Sequence, residues 1–511
     1  MSWVPPTSAD VIARGERDGF AVSEADAAWY ADLARTFASA HNAVEDWHQR
    51  TRTKPPIRLW QRPSLECNPF NAWYVTGSVS SSPGAHLADL TWVVKSNIAV
   101  AGWPMSAGSR MLEGFQPTED ATAVSLLLKA GAQLRGSANC EDLGLSAASH
   151  TSALGPVRNP WKVTHGTFGS SSGCAALVSA GVVDFALAAD QAGSVRLPGS
   201  GTGLVAHKPT RGIVPYTGAM PFTATQDTLG VLARDALTTA RVMATIAQRD
   251  GRDLRQGPND SIIDWTGTLD EGVCGLRVGL IRESFDIPGL SEPAVDKSVR
   301  RTVARLSEAG AIVSSISIPE HLRGADLAMM LTLKAGAPDL LAGNGGSGQT
   351  ALSADPELVE HFAAARAKFP QNLATTVALS ATAGAHAGTR PPGWYLAAAM
   401  RLCGLLTDAY EKALDVVDVL ITPTAPYQPK RLPGSSTPRD EWVGSALDMI
   451  INTCPANLTG NPATQVPAGT AFGLPIGLQV IGRVGADSLC LRVAKTIEDA
   501  TGGFPVPPSM Q

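Results

Sequence analysis

The chain has 511 residues, 44% hydrophobic and 17% charged, a balance that excludes a disordered or collagen-like polypeptide and supplies apolar material for a large core. A net charge of -5, with no basic stripe interleaved with aromatics, argues against nucleic acid as a partner. No run of about 18 apolar residues occurs, and MSWVPPTSADVIARGERDGF lacks the cationic segment and apolar core of a signal peptide; a cytoplasmic chain with no membrane partner is expected. Seven scattered cysteines without C-x-x-C spacing predict reduced thiols, and nine histidines without H-x-x-H grouping predict no metal and no cofactor.

From Ser23 to Trp47, Ala27, Tyr30, Leu33 and Phe37 recur at three or four residues, which predicts an amphipathic helix within an N-terminal helical extension spanning 1–67. After Asn68-Pro69 strand-like and helix-like segments alternate. Trp92-Val93-Val94 predicts a buried strand ending at Lys95, and 119–130 a helix with Val124, Leu127 and Leu128 on one face and Gly131 as its stop. Gly173 to Ala180 reads as a small-residue helix ended by Gly181, and VVDFALAAD as an inner strand leading to Ser194. Between 276 and 318 the pattern is strand (LRVGLI), helix (Val295, Val299, Val303, Leu306) and strand (AIVSSISI).

Residues 320–415 are mainly helical in pattern, broken by glycines at 343–348 and by Pro391-Pro392, and are expected to pack over the sheet and cover a pocket. DVLITP, PATQVPAG and GLPIGLQVIGR add strands, 487–500 adds a closing helix, and 505–511 remains as a tail. The predicted fold is α/β: one large, mixed but mostly parallel twisted sheet sandwiched by helices, occupying 68–504.

Two segments concentrate small polar residues at the ends of apolar elements: GTFGSSSGCAALVSAG at 166–181 and DQAGSVRLPGSGTG at 190–203. There the backbone can approach a ligand and expose its N–H groups. Neither contains G-x-x-x-x-G-K-[ST] or G-x-G-x-x-G, which sets nucleotide binding aside. Taken singly, each Gly-Ser cluster is a tight turn. Together they resemble the amidase signature family, in which a Gly-Gly-Ser-Ser-Gly-Gly loop precedes Asp-x-Gly-Gly-Ser-[Ile/Val]-Arg-x-Pro. The long-range spacing agrees as well: in VVKSNI, Lys95 stands 75 residues before Ser170, and Ser194 follows Ser170 by 24. LGPVRNPW, HKPTRGIVPYTG, DVLITPTAP, NLTGNPATQVPAG and GLPIGLQVIGR extend the resemblance over roughly 68–500, and NPFNAWYVT with GPVRNPW is most similar to bacterial amidases that work beside nitrile hydratases.

The resemblance implies Ser194 as nucleophile, Ser170 as relay on a cis peptide with Gly169, and Lys95 as base. The chemistry is consistent with burial, since a lysine at the end of an apolar strand has its charged form disfavoured and can act as a neutral base. The N–H groups of Gln191, Ala192, Gly193 and Ser194 are expected to form an oxyanion hole. Asp190 and Arg196 are expected to pair as a buried brace around the turn, and Ser171 to donate a hydrogen bond to the relay. His150, His165 and His207 read as structural, and Cys174 as a small helix residue. Phe168, Ser172 and Ala192 depart from the family pattern at three glycine positions; Phe168 is expected to place a large ring beside the relay and alter the pocket.

The function so implied is hydrolysis of a carboxamide through an acyl-enzyme, with ester, carbamate or hydrazide bonds as further substrates and an aromatic or aliphatic acyl group favoured over a charged one. Two other readings stand beside it: an acyl or amido transferase resembling the glutaminase subunit of a tRNA amidotransferase, and a non-catalytic binding protein on the same fold. The expected partner is a small-molecule amide, and a homodimer is compatible with the chain.

Overall fold

The computed structural model describes residues 3–80, 84–257, 263–346, 351–352, 354–386, 388–391 and 393–510. It divides into Met1–Pro56 and Ile57–Gln511, eleven residues earlier than the 1–67 extension expected from the sequence. The reason is a strand pairing: Trp60–Gln61 runs antiparallel to Trp73–Val79, which ties 57–67 to the larger unit.

In the smaller unit, Thr7 and Asp10 form a reciprocal cap on the helix Ser8–Asp18, and Ser23 caps Glu24–Ala34. The single helix expected over Ser23 to Trp47 is two, since a 3-10 turn at Arg35–Phe37 separates Glu24–Ala34 from Ala38–Thr51. Ala27 and Ala31, four apart, are the buried positions of the first. Tyr30, Leu33 and Phe37 are exposed. Of the periodic set read from the sequence, Ala27 alone faces inward, joined by Ala31.

The larger unit carries a twelve-stranded sheet: β1 (Trp60–Gln61), β2 (Trp73–Val79), β3 (Thr91–Lys95), β4 (Gln133–Ala138), β5 (Phe185–Asp190), β6 (Val205–Lys208), β7 (Thr228–Ala233), β8 (Arg277–Ile281), β9 (Ile312–Ile316), β10 (Val419–Pro423), β11 (Ala463–Ala471) and β12 (Leu474–Gly482). Their spatial order is β1-β2-β4-β3-β5-β7-β6-β11-β12-β10-β8-β9. The sheet is mixed, as expected, with helices covering it, but it is not mostly parallel. Among the described residues only β3/β4, β3/β5, β8/β9 and β8/β10 run parallel.

Connection length accounts for one antiparallel pair outright, because parallel neighbours need a crossover of a dozen residues and antiparallel ones do not. β11 and β12 are joined by Phe472-Gly473 alone, both at positive φ, the conformation that closes a two-residue hairpin. The fully buried β5, β6 and β7 place Ala, Val and Leu against helices on either face. The 320–415 stretch forms Arg323–Leu331, Ala337–Ala342, Pro356–Lys368, Thr375–Ala385 and Trp394–Val416. Part of the expected glycine break and Pro392 lie outside the described residues.

The parallel arrangement of β3 beside β5 positions the site. Both strands end on the same edge, so Lys95 and Asp190, their last residues, arrive together.

Candidate active site

Strand alternation decides where Lys95 points. Trp92 and Val94 pack in one core, whereas Val93 packs in the core that contains Cys174, Ala175 and Val178 of the helix Ser172–Ser179. Lys95 follows Val93 by two and falls on that same face, at the entry of the helix. Its Nζ donates to Ser170 Oγ at 2.7 Å, and neither side chain is exposed. Burial lowers the Lys95 pKa against the opposing pull of nearby Cys140, Cys174, Asp190 and Glu141. Among the described residues Lys95 has no ion-pair partner, so its one polar contact is a hydroxyl that can exchange a proton with it.

The loop that presents Ser170 is held from both sides. The Gly169–Ser170 peptide is cis. Gly169 N–H donates to Ala147 O at 2.7 Å, and Glu141 N–H donates to Ser170 O at 3.1 Å. A Cβ on Gly169 would lie 2.8 Å from Glu141 Cγ, so only glycine fits. Glu141 is itself fully buried, and its Oε2 accepts from the N–H groups of His150 and Thr151 and from Thr151 Oγ1. Phe168 takes a positive φ of 61° and packs its ring with Tyr427 and Met449, in a cluster that also holds Ala147 and Leu197 of the cavity wall. Phe168 does not itself line the cavity; its ring backs the wall residues Ala147 and Leu197.

Ser194 sits on the turn between β5 and the helix Arg196–Thr202. Asp190 organises this turn. Its Oδ1 accepts from Gly193 N–H at 2.8 Å and its Oδ2 from Val195 N–H at 3.0 Å, while Arg196 closes a two-pronged pair through Nε at 3.1 Å and Nη2 at 3.0 Å. Both side chains are fully buried, as the expected brace requires. Burial alone would push the Asp190 carboxyl up; the Arg196 charge and hydrogen bonds, with Asn457, overcome it and hold the group well below the usual carboxylate range.

The bond to Asp190 also alters the expected oxyanion hole. Gly193 N–H is already consumed, whereas no partner within the described residues takes the N–H of Gln191, Ala192 or Ser194. Gly193 has φ 132°, and a Cβ there would collide with Thr453 Oγ1. Ala192 is not at positive φ and tolerates its methyl, and its carbonyl accepts from Thr453 Oγ1 at 2.6 Å. Ser171 Oγ donates to Ala189 O at 3.4 Å and not to the relay, which corrects that expectation. Ser172 begins the helix, with its hydroxyl buried.

Three partners of the turn had no motif to announce them individually. Arg196 Nη1 donates to Thr453 O at 2.8 Å and Gln479 Oε1 at 3.0 Å, and Nη2 to Asn457 Oδ1 at 2.6 Å. Gln479 interrupts the otherwise apolar LPIGLQVIG, a signal for a buried polar partner. Thr453 carries no such signal.

Ser194, 7% exposed, opens onto a cavity whose wall is formed largely by Leu143, Met220, Phe222, Leu340, Leu447 and Ile450. Met329, Thr332 and Leu340 bring the 320–415 stretch into this wall. Among the described residues no Asp, Glu, Lys or Arg lines it. Ser194 Oγ has no hydrogen-bond partner among the described residues. His150 Nε2 meets Trp442 O, His165 Nδ1 meets Thr164 Oγ1, and His207 lies buried between Thr464 and Asp487; none lines the cavity. Burial pushes the Cys174 thiol up, away from a reactive thiolate.

Fold and site together define a mixed α/β amide hydrolase. The chain belongs to the amidase signature family: the Amidase family model matches residues 72–491. It is 39% identical over 511 residues to an enantioselective amidase of Rhodococcus rhodochrous, covering 99% of this chain and 98% of that one. It is 34% identical to a glutamyl-tRNA(Gln) amidotransferase subunit of Exiguobacterium sibiricum, over 81% of this chain and 84% of the relative. Among solved structures, the native peptide amidase of Stenotrophomonas maltophilia matches with a TM-score of 0.68 and 26% identity, covering 84% and 85% of the two chains. Among the described residues no helix is long and apolar enough to cross a membrane, and no cluster of side chains is arranged to hold a metal.

Proposed function

We propose that this enzyme hydrolyses carboxamides of uncharged, apolar acids through an acyl-enzyme on Ser194. Ser194 Oγ attacks the carbonyl carbon while its proton passes to Ser170 Oγ and the Ser170 proton to neutral Lys95 Nζ. The N–H groups of Gln191, Ala192 and Ser194 receive the developing oxyanion. Collapse expels the amine, which takes its proton back along the same path, and water repeats the sequence to release the acid. The observation that carries the reading is the 2.7 Å bond between two fully buried groups, Lys95 Nζ and Ser170 Oγ, at a lysine whose charged form burial disfavours and which has no ion-pair partner among the described residues. The free Ser194 hydroxyl completes the path once substrate fills the cavity and turns it toward Ser170, since such contacts tighten on binding. The scattered free cysteines support a reducing, cytoplasmic setting.

A fluorophosphonate is expected to label Ser194 and to fail on Ser194→Ala, read by mass spectrometry. Lys95→Ala should lower kcat by roughly 10²- to 10⁴-fold with the fold retained. The sign of the pH dependence follows from the base. Only neutral Lys95 accepts a proton, so kcat/KM should fall as pH drops through a pKa below the usual lysine range, and plateau above it. Full activity in Lys95→Ala, or a profile without that acid limb, would sink the relay.

The 34% identity to an amidotransferase subunit favours a second reading, in which the amide is glutamine and the ammonia passes to a partner. A cavity without a charged lining residue speaks against it, because a free amino acid amide brings an ammonium and a carboxylate that need partners. Glutaminase activity and copurifying subunits would reverse the preference.

A further inference from the structure

Among the described residues the cavity wall carries five polar side chains: Asn97, Ser146, Gln191, Ser194 and Thr332. Three are assigned. Gln191 Nε2 donates to Tyr216 Oη at 2.8 Å, Ser146 Oγ accepts from Ala148 N–H at 3.2 Å, and Ser194 is the nucleophile. Thr332 is part-exposed and can be satisfied by solvent. Asn97 is different. It is 8% exposed, and its side-chain oxygen is enclosed without a hydrogen-bond partner. It is the one cavity-lining residue in that state among the described residues.

Its position is fixed by backbone and not by its own side chain. Lys95 O accepts from Ile98 N–H at 3.0 Å, Asn97 O accepts from Met220 N–H at 2.9 Å, and Ile98 bridges to Ala219. The carboxamide is thereby held between the segment that carries Lys95 and the Met220–Phe222 wall, on the same cavity as Ser194. An enclosed acceptor left unpaired is unfavourable, and the broad, twofold terminal torsion of Asn97 lets the carboxamide turn its oxygen toward the cavity. What such an acceptor lacks is an N–H donor. In a substrate whose acyl part is apolar, the donor available is the carboxamide N–H, which a primary amide presents without a substituent on the nitrogen.

We propose that Asn97 is the leaving-group reader of this site: its side-chain oxygen accepts a hydrogen bond from the substrate NH2, selecting primary amides over esters of the same acid. The inference rests on the hydrolase reading above and adds the class of leaving group to it. An ester presents an alkoxy oxygen where the amide presents N–H, and leaves Asn97 unsatisfied. A site built to pair with a substrate N–H discriminates against the analogue lacking it because its own buried group stays unpaired.

Benzamide and methyl benzoate make a matched pair with one acyl group. In the full-length enzyme, Asn97→Leu and Asn97→Ala are expected to lower kcat/KM for benzamide about tenfold and to leave methyl benzoate within about twofold, so that the amide-to-ester ratio falls in both variants. Ester turnover serves as the control for an intact fold and intact serine chemistry. An unchanged ratio, whether both activities persist or both fall together in the two variants, would overturn the proposal. So would a wild-type enzyme that fluorophosphonate labels at Ser194 but that does not cleave benzamide. A wild-type protein that is not labelled fails at the earlier step, the serine hydrolase itself.

Discussion

Between Asp190 and Arg196 every buried charge is paired more than once: the carboxylate collects backbone N–H groups at 193 and 195, the guanidinium, and Asn457, and the guanidinium spends its remaining donors on Thr453 and Gln479. The cavity wall facing this turn is the reverse, made of Leu143, Met220, Phe222, Leu340 and Ile450, which contribute contact area, with Asn97 as the unpaired exception. Each region suits its task. A nucleophile must arrive in one geometry, which a saturated polar network in a low-dielectric interior enforces. A wall of apolar side chains admits one shape of acyl group or another without disturbing the chemistry, because dispersion and burial are not directional.

The comparison breaks most visibly at Arg196. Arg196→Met removes one partner of a fully buried pair and leaves Asp190 uncompensated, which should cost about 3–5 kcal/mol of stability in chemical denaturation. A loss under about 1 kcal/mol would mean that Asn457 and the backbone N–H groups suffice on their own. On the wall, Leu340→Ala should cost about 1.5–3 kcal/mol in kcat/KM for a substrate with a bulky apolar acyl group, through KM, while a small acyl group is little affected. Equal losses for both substrates would transfer Leu340 from the wall to the machinery. The smallest effect is expected at the seam, where Thr453→Val removes the hydroxyl that pins Ala192 O. That should lower kcat about tenfold, or about 1.4 kcal/mol, with KM nearly constant. A change in KM alone would contradict a positioning role.

Much of the turn was legible in the sequence, because Asp190, Gly193, Ser194 and Arg196 lie within seven residues and their roles are local. The brace of Asp190 with Arg196 follows from that spacing. The hydrogen bond that consumes Gly193 N–H does not, since four consecutive N–H groups look alike until the carboxylate is placed. Phe168 was legible in part for a similar reason: its side-chain size was visible, and its φ of 61° and its packing with Tyr427 behind Ala147 and Leu197 were not. In the smaller unit, Tyr30, Leu33 and Phe37 had helical spacing but not burial, because Ala27 and Ala31 face inward instead.

The sheet divides in the same way. Apolar runs such as Trp92-Val93-Val94 and FALAAD mark strands whatever surrounds them, but direction depends on connection and partner, as where the Phe472-Gly473 hairpin sets β11 antiparallel to β12. By itself the sequence determined the family, the alternation of elements and which residues are candidates for the chemistry, since these are written in residue types and short spacings. Only the tertiary structure decided that β3 ends beside β5 so that Lys95 meets Ser170, that Thr453, Asn457 and Gln479 converge on Arg196, and that Asn97 is left without a partner. These are contacts between segments up to hundreds of residues apart, and a side chain's partner is fixed by packing in three dimensions, not by its neighbours along the chain.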